Sequence, residues 1–201
     1  RCGSFKLSGP DMAVSDALNK VFRYIDENFE GYVDELRLLL RQPSVSTNID
    51  SAKKCAGVLA SIMSKSGIDT EVFELGRKNP IVFGELRPEN GVKTLMFYGH
   101  YDVKPPGPRR LWKSDPFDAE LRGNRIYARG ASDSKGNVIA QVKAAEAFLR
   151  SVGSTPVNLK FLFEGNEEIG SPGLSHFIDR FGKRLSADGA VMFDGGFDEE
   201  G

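Results

Sequence analysis

The sequence predicts an α/β layered fold with a largely parallel central sheet. Two observations lead to this prediction. Apolar side chains recur at helical spacing in several long segments, and short apolar runs typical of buried strands lie between those segments. Strands that alternate with helices favour a sheet covered by helices over a helical bundle or a sandwich. The 201 residues are enough for one domain with a sizeable core.

Two helices are predicted in the first third of the chain. Apolar residues keep helical spacing over 15–41, and Pro43 ends the pattern. Gly31 lies inside this segment, so a bend or a break between two helical pieces is possible there. The second helix covers 51–66, and Cys55 on its apolar face is interpreted as a core residue.

The rest of the chain is predicted to consist of strands, a hairpin and two further helices. Strands are expected at 69–75, 80–86, 93–98, 157–163 and 189–193, and helices at 136–150 and 172–181. Between the third strand and the first of these helices, two β-like segments flank Gly123-Asn124, which predicts a hairpin turn.

Composition excludes several classes of protein. The net charge of -1 gives no electrostatic reason to expect nucleic acid as a partner, and no apolar run approaches the roughly 20 residues that span a membrane. Cys2 and Cys55 form no CxxC pair, so both are interpreted as free thiols of a cytoplasmic protein. Residues 1–12 fit no element and are interpreted as an added leader or a disordered end, with a natural start near Met12; 13–201 are assigned to the domain.

Polar side chains follow three of the predicted strands, at the point where each strand ends. His100 and Asp102 follow the third strand, a group of glutamates follows the fourth, and Asp194 follows the last, while Asp133 lies in a glycine-rich loop before a helix. The glutamates are Glu164, Glu167 and Glu168. The carboxyl ends of parallel strands meet at one edge of a sheet, so these groups are expected to lie together.

Carboxylates gathered at one place repel one another and need a cation. One histidine with several carboxylates suits zinc, with manganese or cobalt as substitutes. Taken singly, each residue also has a simpler interpretation. His100 could be a hydrogen-bonded histidine, Asp133 a helix cap, Glu167-Glu168 a solvated pair and Asp194 part of a turn. The joint pattern at strand ends favours the metal site.

Four segments resemble one family of enzymes, the aminoacylase/carnosinase-type di-zinc metallopeptidases. These segments are GHYDVKP (99–105), WKSDPFDAELRGNRIYARGASDSKGN (112–137), FEGNEEIGSPGL (163–174) and VMFDGG (191–196). Relatives in this family include carboxypeptidase G, non-specific dipeptidases, carnosinases, aminoacylase and succinyl-diaminopimelate desuccinylase. The resemblance implies a three-layer zinc-peptidase-like catalytic domain with two zinc ions as cofactors.

The resemblance also implies a role for each site residue. His100 and Asp194 match ligands of one metal, Asp133 matches the aspartate that bridges both metals, and Glu168 matches a ligand of the other. Asp102 matches the aspartate that orients the imidazole, and Glu167 matches the general base. The family pattern further implies a cis peptide between Asp133 and Ser134.

The resemblance implies a substrate class as well. It is a dipeptide or small peptide, because Asp at position 194 and the wording of the motifs lean towards the dipeptidase branch. An N-acyl amino acid is the alternative, cleaved by a deacylase or desuccinylase with the same metals.

The chain lacks parts that the family pattern contains. A smaller lid domain, through which full-length members form homodimers, and a last histidine ligand of the metal bound by Glu168 would follow the segment around Asp194. His176, the other histidine, is interpreted as a surface or packing residue. We therefore expect an incomplete catalytic domain that binds metal weakly and hydrolyses little alone, with an exposed sheet edge that favours association.

Two other classes of function compete with a hydrolase. A non-catalytic interaction domain derived from such a peptidase is possible, although such domains usually lose ligands and all six positions are filled here. A nucleotide-binding α/β protein is disfavoured, because the chain has no GxGxxG or GxxxxGK[ST] motif and its strand-end residues are acidic.

Overall fold

The computed structural model describes residues 10–89 and 91–195, with side chains from Val14 onward. Four α-helices, seven strands and two short 3-10 helices make up this part of the chain. The helices are α1 (Pro10–Arg41), α2 (Ile49–Lys65), α3 (Lys135–Val152) and α4 (Leu174–Leu185). The strands are β1 (Asp69–Leu75), β2 (Lys78–Leu86), β3 (Thr94–His100), β4 (Glu120–Arg122), β5 (Arg125–Tyr127), β6 (Asn158–Glu164) and β7 (Gly189–Met192). The 3-10 helices cover Arg109–Leu111 and Glu167–Ile169.

The central sheet has five strands in the order β1-β2-β6-β3-β7. The α/β layered fold is confirmed, and the sheet is mixed: β3 runs parallel to β6 and β7, whereas β2 is antiparallel to β1 and β6. The two-residue connection between β1 and β2 can only reverse the chain direction, so these two strands are antiparallel. The parallel part, β6-β3-β7, is the part that ends at the candidate site.

Helices cover both faces of the sheet, and the alternation of side chains along β6 shows how. Phe161 and Phe163 point to the first face and belong to a core shared with α1, α2 and α3, in which Cys55 is fully buried. Leu162 points to the second face and packs near Phe177 of α4. The three layers are therefore α1–α3, sheet and α4, and the prediction of Cys55 as a core residue is confirmed.

The first helix is continuous from Pro10 to Arg41, so the break considered at Gly31 does not occur. A single glycine costs a helix only about 1 kcal/mol relative to alanine, and packing of α1 on α3 exceeds that cost. Residues 10–12, assigned to the leader from sequence, form the first turn of α1. Residues 1–9, including Cys2, lie outside the described residues, so the leader remains a prediction.

The small elements agree with the sequence. β4 and β5 form the predicted hairpin, and Gly123 at its turn has a φ of 61°, in the left-handed region that glycine tolerates. His176 on α4 is exposed, as expected of a surface residue. In the described part of the chain, no helix combines the length and the apolar character that crossing a membrane requires.

Candidate metal centre

His100 is the last residue of β3, and its imidazole is fully buried. Nδ1 lies 3.0 Å from the backbone carbonyl oxygen of Asp102 and 3.4 Å from its Oδ1. A carbonyl can only accept, so Nδ1 carries a proton and donates it, which leaves Nε2 to bind either a second proton or a metal ion. Nε2 is buried and has no hydrogen-bond partner among the described residues. An imidazole held at Nδ1 and free at Nε2 is the form that binds metals.

Three carboxylates from separate segments surround Nε2 of His100. Asp133 Oδ1 lies 3.0 Å away, Asp194 Oδ2 3.6 Å and Glu167 Oε2 3.9 Å. His100, Asp133 and Asp194 each offer one ligand atom, and these three atoms all lie within 4.8 Å of one another. A buried imidazole nitrogen and two carboxylate oxygens at this spacing fit a divalent cation, which would take the place of the proton on Nε2.

Two neighbouring segments bring the aspartates to this position. The loop before α3 carries Asp133, and the peptide bond between Asp133 and Ser134 is cis, as the family pattern implied. Asp194 comes two residues after β7, and the Asn137 side chain of α3 donates to the Phe193 carbonyl, 2.6 Å away. The helix that begins beside Asp133 thus also holds the backbone next to Asp194.

The electrostatics of the site favour bound positive charge. Burial alone would lower the pKa of His100, but hydrogen bonds and charge from Asp102, and then the charge of Glu167, raise it to about 9. The pKa of Glu167 is raised by burial first and by the charges of Asp194 and Glu168, against the opposing effect of His100. Negative charge at the site therefore exceeds what one imidazole can compensate.

Asp102 fixes the turn that carries the two glutamates. Its carboxylate is fully buried and accepts hydrogen bonds from the backbone N–H groups of Glu167 and Glu168, each at 3.2 Å. The hydroxyl of Ser46 donates to the same carboxylate at 2.7 Å. Asp102 therefore joins the imidazole of His100 to the 3-10 turn. Ser46 was not identified from the sequence, because nothing local marks a serine 56 residues away as a partner.

Glu168 lies beside the metal-binding group and is not part of it. Its side chain is nearly buried, and its Oε2 forms an ion pair with Lys104 Nζ at 2.9 Å. Of the six residues singled out from the sequence, four surround the imidazole of a fifth, His100, and Glu168 is held by a lysine instead. Lys104 is in the GHYDVKP segment, but its contact with Glu168 could not be inferred from that segment.

A pair of asparagines that the sequence did not point to fixes the start of the same turn. Asn79 N–H donates to Asn166 Oδ1 at 3.2 Å, and Asn166 Nδ2 donates to the Asn79 carbonyl at 3.0 Å. The Asn79 side chain also donates to the carbonyls of Ser46 and Gly165. Gly165 is required here, because a Cβ at this position would lie 2.4 Å from the Tyr101 hydroxyl. Both asparagines are almost fully buried.

Comparison with known proteins gives a consistent result. The model of peptidase family M20/M25/M40 matches residues 96–201. A Cys-Gly metallodipeptidase from Schizosaccharomyces pombe is 33% identical over 175 residues, which cover 81% of this chain and 37% of the relative. A succinyl-diaminopimelate desuccinylase from Wolbachia sp. subsp. Brugia malayi is 36% identical over 133 residues, which cover 63% of this chain and 33% of the relative.

A solved structure agrees with these relatives. The crystal structure of an M20 family metallo-carboxypeptidase from Sulfolobus solfataricus superposes with a TM-score of 0.76 at 37% identity, and the match covers 85% of this chain and 38% of that one. The chain thus spans less than two fifths of the length of each of these three proteins.

Proposed function

We infer the function from one premise: the chain belongs to peptidase family M20/M25/M40, whose model matches more than half of it. We propose that it is part of a metal-dependent hydrolase that cleaves the peptide bond of dipeptides or small peptides. The convergence of Asp133, Asp194 and Glu167 on the buried Nε2 of His100 is the observation that carries this proposal.

The proposed metal sites follow from the donors. His100, Asp133 and Asp194 would hold one ion, and Asp133 and Glu168 would supply ligands to a second. Zinc is the proposed metal, with manganese or cobalt as substitutes, because a set of one imidazole and carboxylates accepts all three. When bound, such ions polarise a carbonyl group and lower the pKa of water towards neutrality.

Residues of the chain itself would position the reacting groups and transfer the proton of the attacking water. Asp102 holds the Nδ1 side of His100 and the backbone of the turn, so that Nε2 and the Glu167 carboxylate face the same point. Glu167 would accept a proton from the attacking water and return it to the leaving amine. The raised pKa of Glu167, caused first by burial, brings the carboxylate closer to the basicity that this exchange requires.

Three further statements belong to the same proposal. The 201 residues by themselves would bind a second ion weakly and hydrolyse little, because Glu168 is engaged by Lys104 and lies outside the group around His100. The relatives named as dipeptidase and carboxypeptidase support peptides as substrates. A cytoplasmic location and a homodimer formed through a lid domain remain proposals.

A panel of substrates tests the proposed function. The purified chain, at high concentration and with Zn²⁺, is incubated with dipeptides and with N-acyl amino acids, and release of free amino acid is measured. We expect amino acid to be released slowly from dipeptides. A chelator should stop this release, and Glu167→Gln should abolish it. Glu89→Gln, at an exposed position, is the control and should have no effect. Release that persists in Glu167→Gln would contradict the assignment of the base.

A second candidate reaction uses the same site. Hydrolysis of an N-acyl amino acid is supported by the similarity to a protein named succinyl-diaminopimelate desuccinylase. In the same panel, release from N-succinyl or N-acetyl amino acids but not from dipeptides would favour the deacylase. Loss of metal binding by the full-length protein, with its fold and its binding of a partner intact, would favour the non-catalytic interaction domain.

A further inference from the structure

Glu164 is a buried carboxylate to which neither the family pattern nor the metal-binding group assigns a role. It is the last residue of β6, is 1% exposed, and lies directly opposite His100 in the parallel register of β6 and β3. Its Oε1 accepts two hydrogen bonds, from the Tyr98 hydroxyl at 2.5 Å and from the Ser171 hydroxyl at 2.8 Å. A carboxylate buried this deeply needs such donors, and both come from side chains that flank the site.

Ser171 closes the loop that carries Glu167 and Glu168. Its N–H donates to the Asn166 carbonyl at 2.8 Å, so the loop returns to its own start. Ser171 has a φ of 51°, in the left-handed region that serine rarely adopts. A conformation of this kind persists only where surrounding contacts hold it, and the hydrogen bond to Glu164 is one such contact.

We propose that Glu164 is a positioning residue: through Ser171 it fixes the 3-10 turn Glu167–Ile169 against β3, and so sets where the Glu167 and Glu168 carboxylates lie relative to His100. The turn is then held at three points, by Asn79 at its start, by Asp102 at its N–H groups and by Glu164 at its end. That the placement of the Glu167 and Glu168 carboxylates matters for catalysis rests on the proposed function. That Glu164 holds the turn in place does not depend on the proposed function.

Amide hydrogen exchange, measured residue by residue by NMR on the metal-free chain, tests the proposal. In Ser171→Ala we expect the amides of Glu167 and Glu168 to exchange about 10- to 100-fold faster, as loss of a hydrogen bond to a charged group implies. The amides of Phe161 and Leu162 in β6 should keep their rates. Ser175→Ala, which removes an exposed hydroxyl from α4, is the matched control and should change neither set.

Two variants of Glu164 test the same bond without altering the backbone of Ser171. Glu164→Gln keeps an oxygen that accepts both hydroxyl protons, so the turn should exchange as in the unsubstituted chain. Glu164→Leu removes the acceptor and should reproduce the effect of Ser171→Ala. Unchanged exchange at Glu167 and Glu168 in both disruptive variants would overturn the proposal, as would an equal rise at every amide, which signals lower global stability alone.

A Co²⁺ titration of the same variants separates this proposal from the proposed function. We expect Ser171→Ala to weaken binding of the second Co²⁺ equivalent, to which Glu168 of the turn would be a ligand, about 10- to 100-fold, and to leave the equivalent held by His100, Asp133 and Asp194 unchanged. Unchanged affinity for the second equivalent together with faster exchange would overturn the positioning role. If the unsubstituted chain bound no Co²⁺, the proposed function would fail, and the exchange rates would still decide whether Glu164 fixes the turn.

Discussion

At the scale of single residues, the site depends on buried polar groups whose partners are distant in sequence. The fully buried carboxylate of Asp102 accepts from the partly buried N–H groups of Glu167 and Glu168 and from the buried hydroxyl of Ser46. These donors have lost part or all of their hydration, so removing the acceptor leaves unsatisfied groups instead of merely deleting a contact. Asp102 should therefore matter for stability as well as for chemistry.

We expect Asp102→Ala to lower the free energy of unfolding by about 3 kcal/mol, because one buried donor and two partly buried donors lose their acceptor. Ser46→Ala removes one donor and should cost about 1 kcal/mol. Urea denaturation of the two variants in the absence of metal measures both values. A cost for Asp102→Ala no larger than that for Ser46→Ala would show that the carboxylate does not organise the turn.

Sequence reasoning at this scale identified His100 and the carboxylates around it and missed several of the side chains that hold them. His100, Asp133 and Asp194 could be predicted because they follow strands or begin a helix, and strand ends meet at one edge of a sheet. Ser46 and Asn79 could not, because their partners lie 56 and 87 residues away and a buried serine or asparagine carries no periodic signal. The contact between Lys104 and Glu168 likewise depends on how two loops meet.

At the scale of elements, helices were easier to predict than strand directions. The apolar period of α1 and α3 is a property of consecutive residues, so both helices could be identified in the sequence. Whether β2 runs parallel or antiparallel to β6 depends on long-range pairing, which the sequence of neither strand contains. Gly31 shows that a local signal can also mislead, because its tendency to break a helix was outweighed by the packing of α1 on α3.

Two glycines, one on α2 and one on the strand that packs against α2, are expected to respond oppositely to substitution by alanine. Gly57 is exposed on α2 with open space around a Cβ, so we expect Gly57→Ala to stabilise the chain by about 0.5–1 kcal/mol through helix propensity. At Gly84 on β2 a Cβ would lie 2.5 Å from Met63 Cε and 2.7 Å from Ile68 Cγ2. Gly84→Ala should therefore destabilise by about 1–3 kcal/mol. Thermal unfolding checks both, and shifts of the same sign would contradict the packing of α2 on β2.

At the scale of the whole molecule, two apolar surfaces remain exposed in the described part of the chain. One is a stripe on α1 with helical spacing, formed by Val14, Leu18, Phe22 and Phe29. The other is the edge strand β7 with its neighbour, where Met192 and Phe193 are more than half exposed. Exposed sheet edges and contiguous apolar patches favour association, which agrees with the exposed edge expected from the sequence.

We expect the chain to self-associate with rising concentration, and Phe22→Glu, which places a charge in the middle of the α1 stripe, to weaken that association. Val92→Glu is the control, because Val92 is 88% exposed and lies outside the stripe. Sedimentation velocity over a range of concentrations measures the effect. Equal association of both variants and the unsubstituted chain would show that α1 is not the surface involved.

The central claim is that the imidazole of His100 and the carboxylates around it form a site for a divalent metal ion. A Co²⁺ titration followed by visible absorption tests this claim most directly, with the unsubstituted chain, His100→Ala and, as control, His176→Ala at the exposed histidine of α4. We expect the control to bind as the unsubstituted chain does, and His100→Ala to bind more than about a hundredfold more weakly, a larger loss than removal of an orienting partner causes. Equal Co²⁺ affinity in His100→Ala and the unsubstituted chain would contradict the claim.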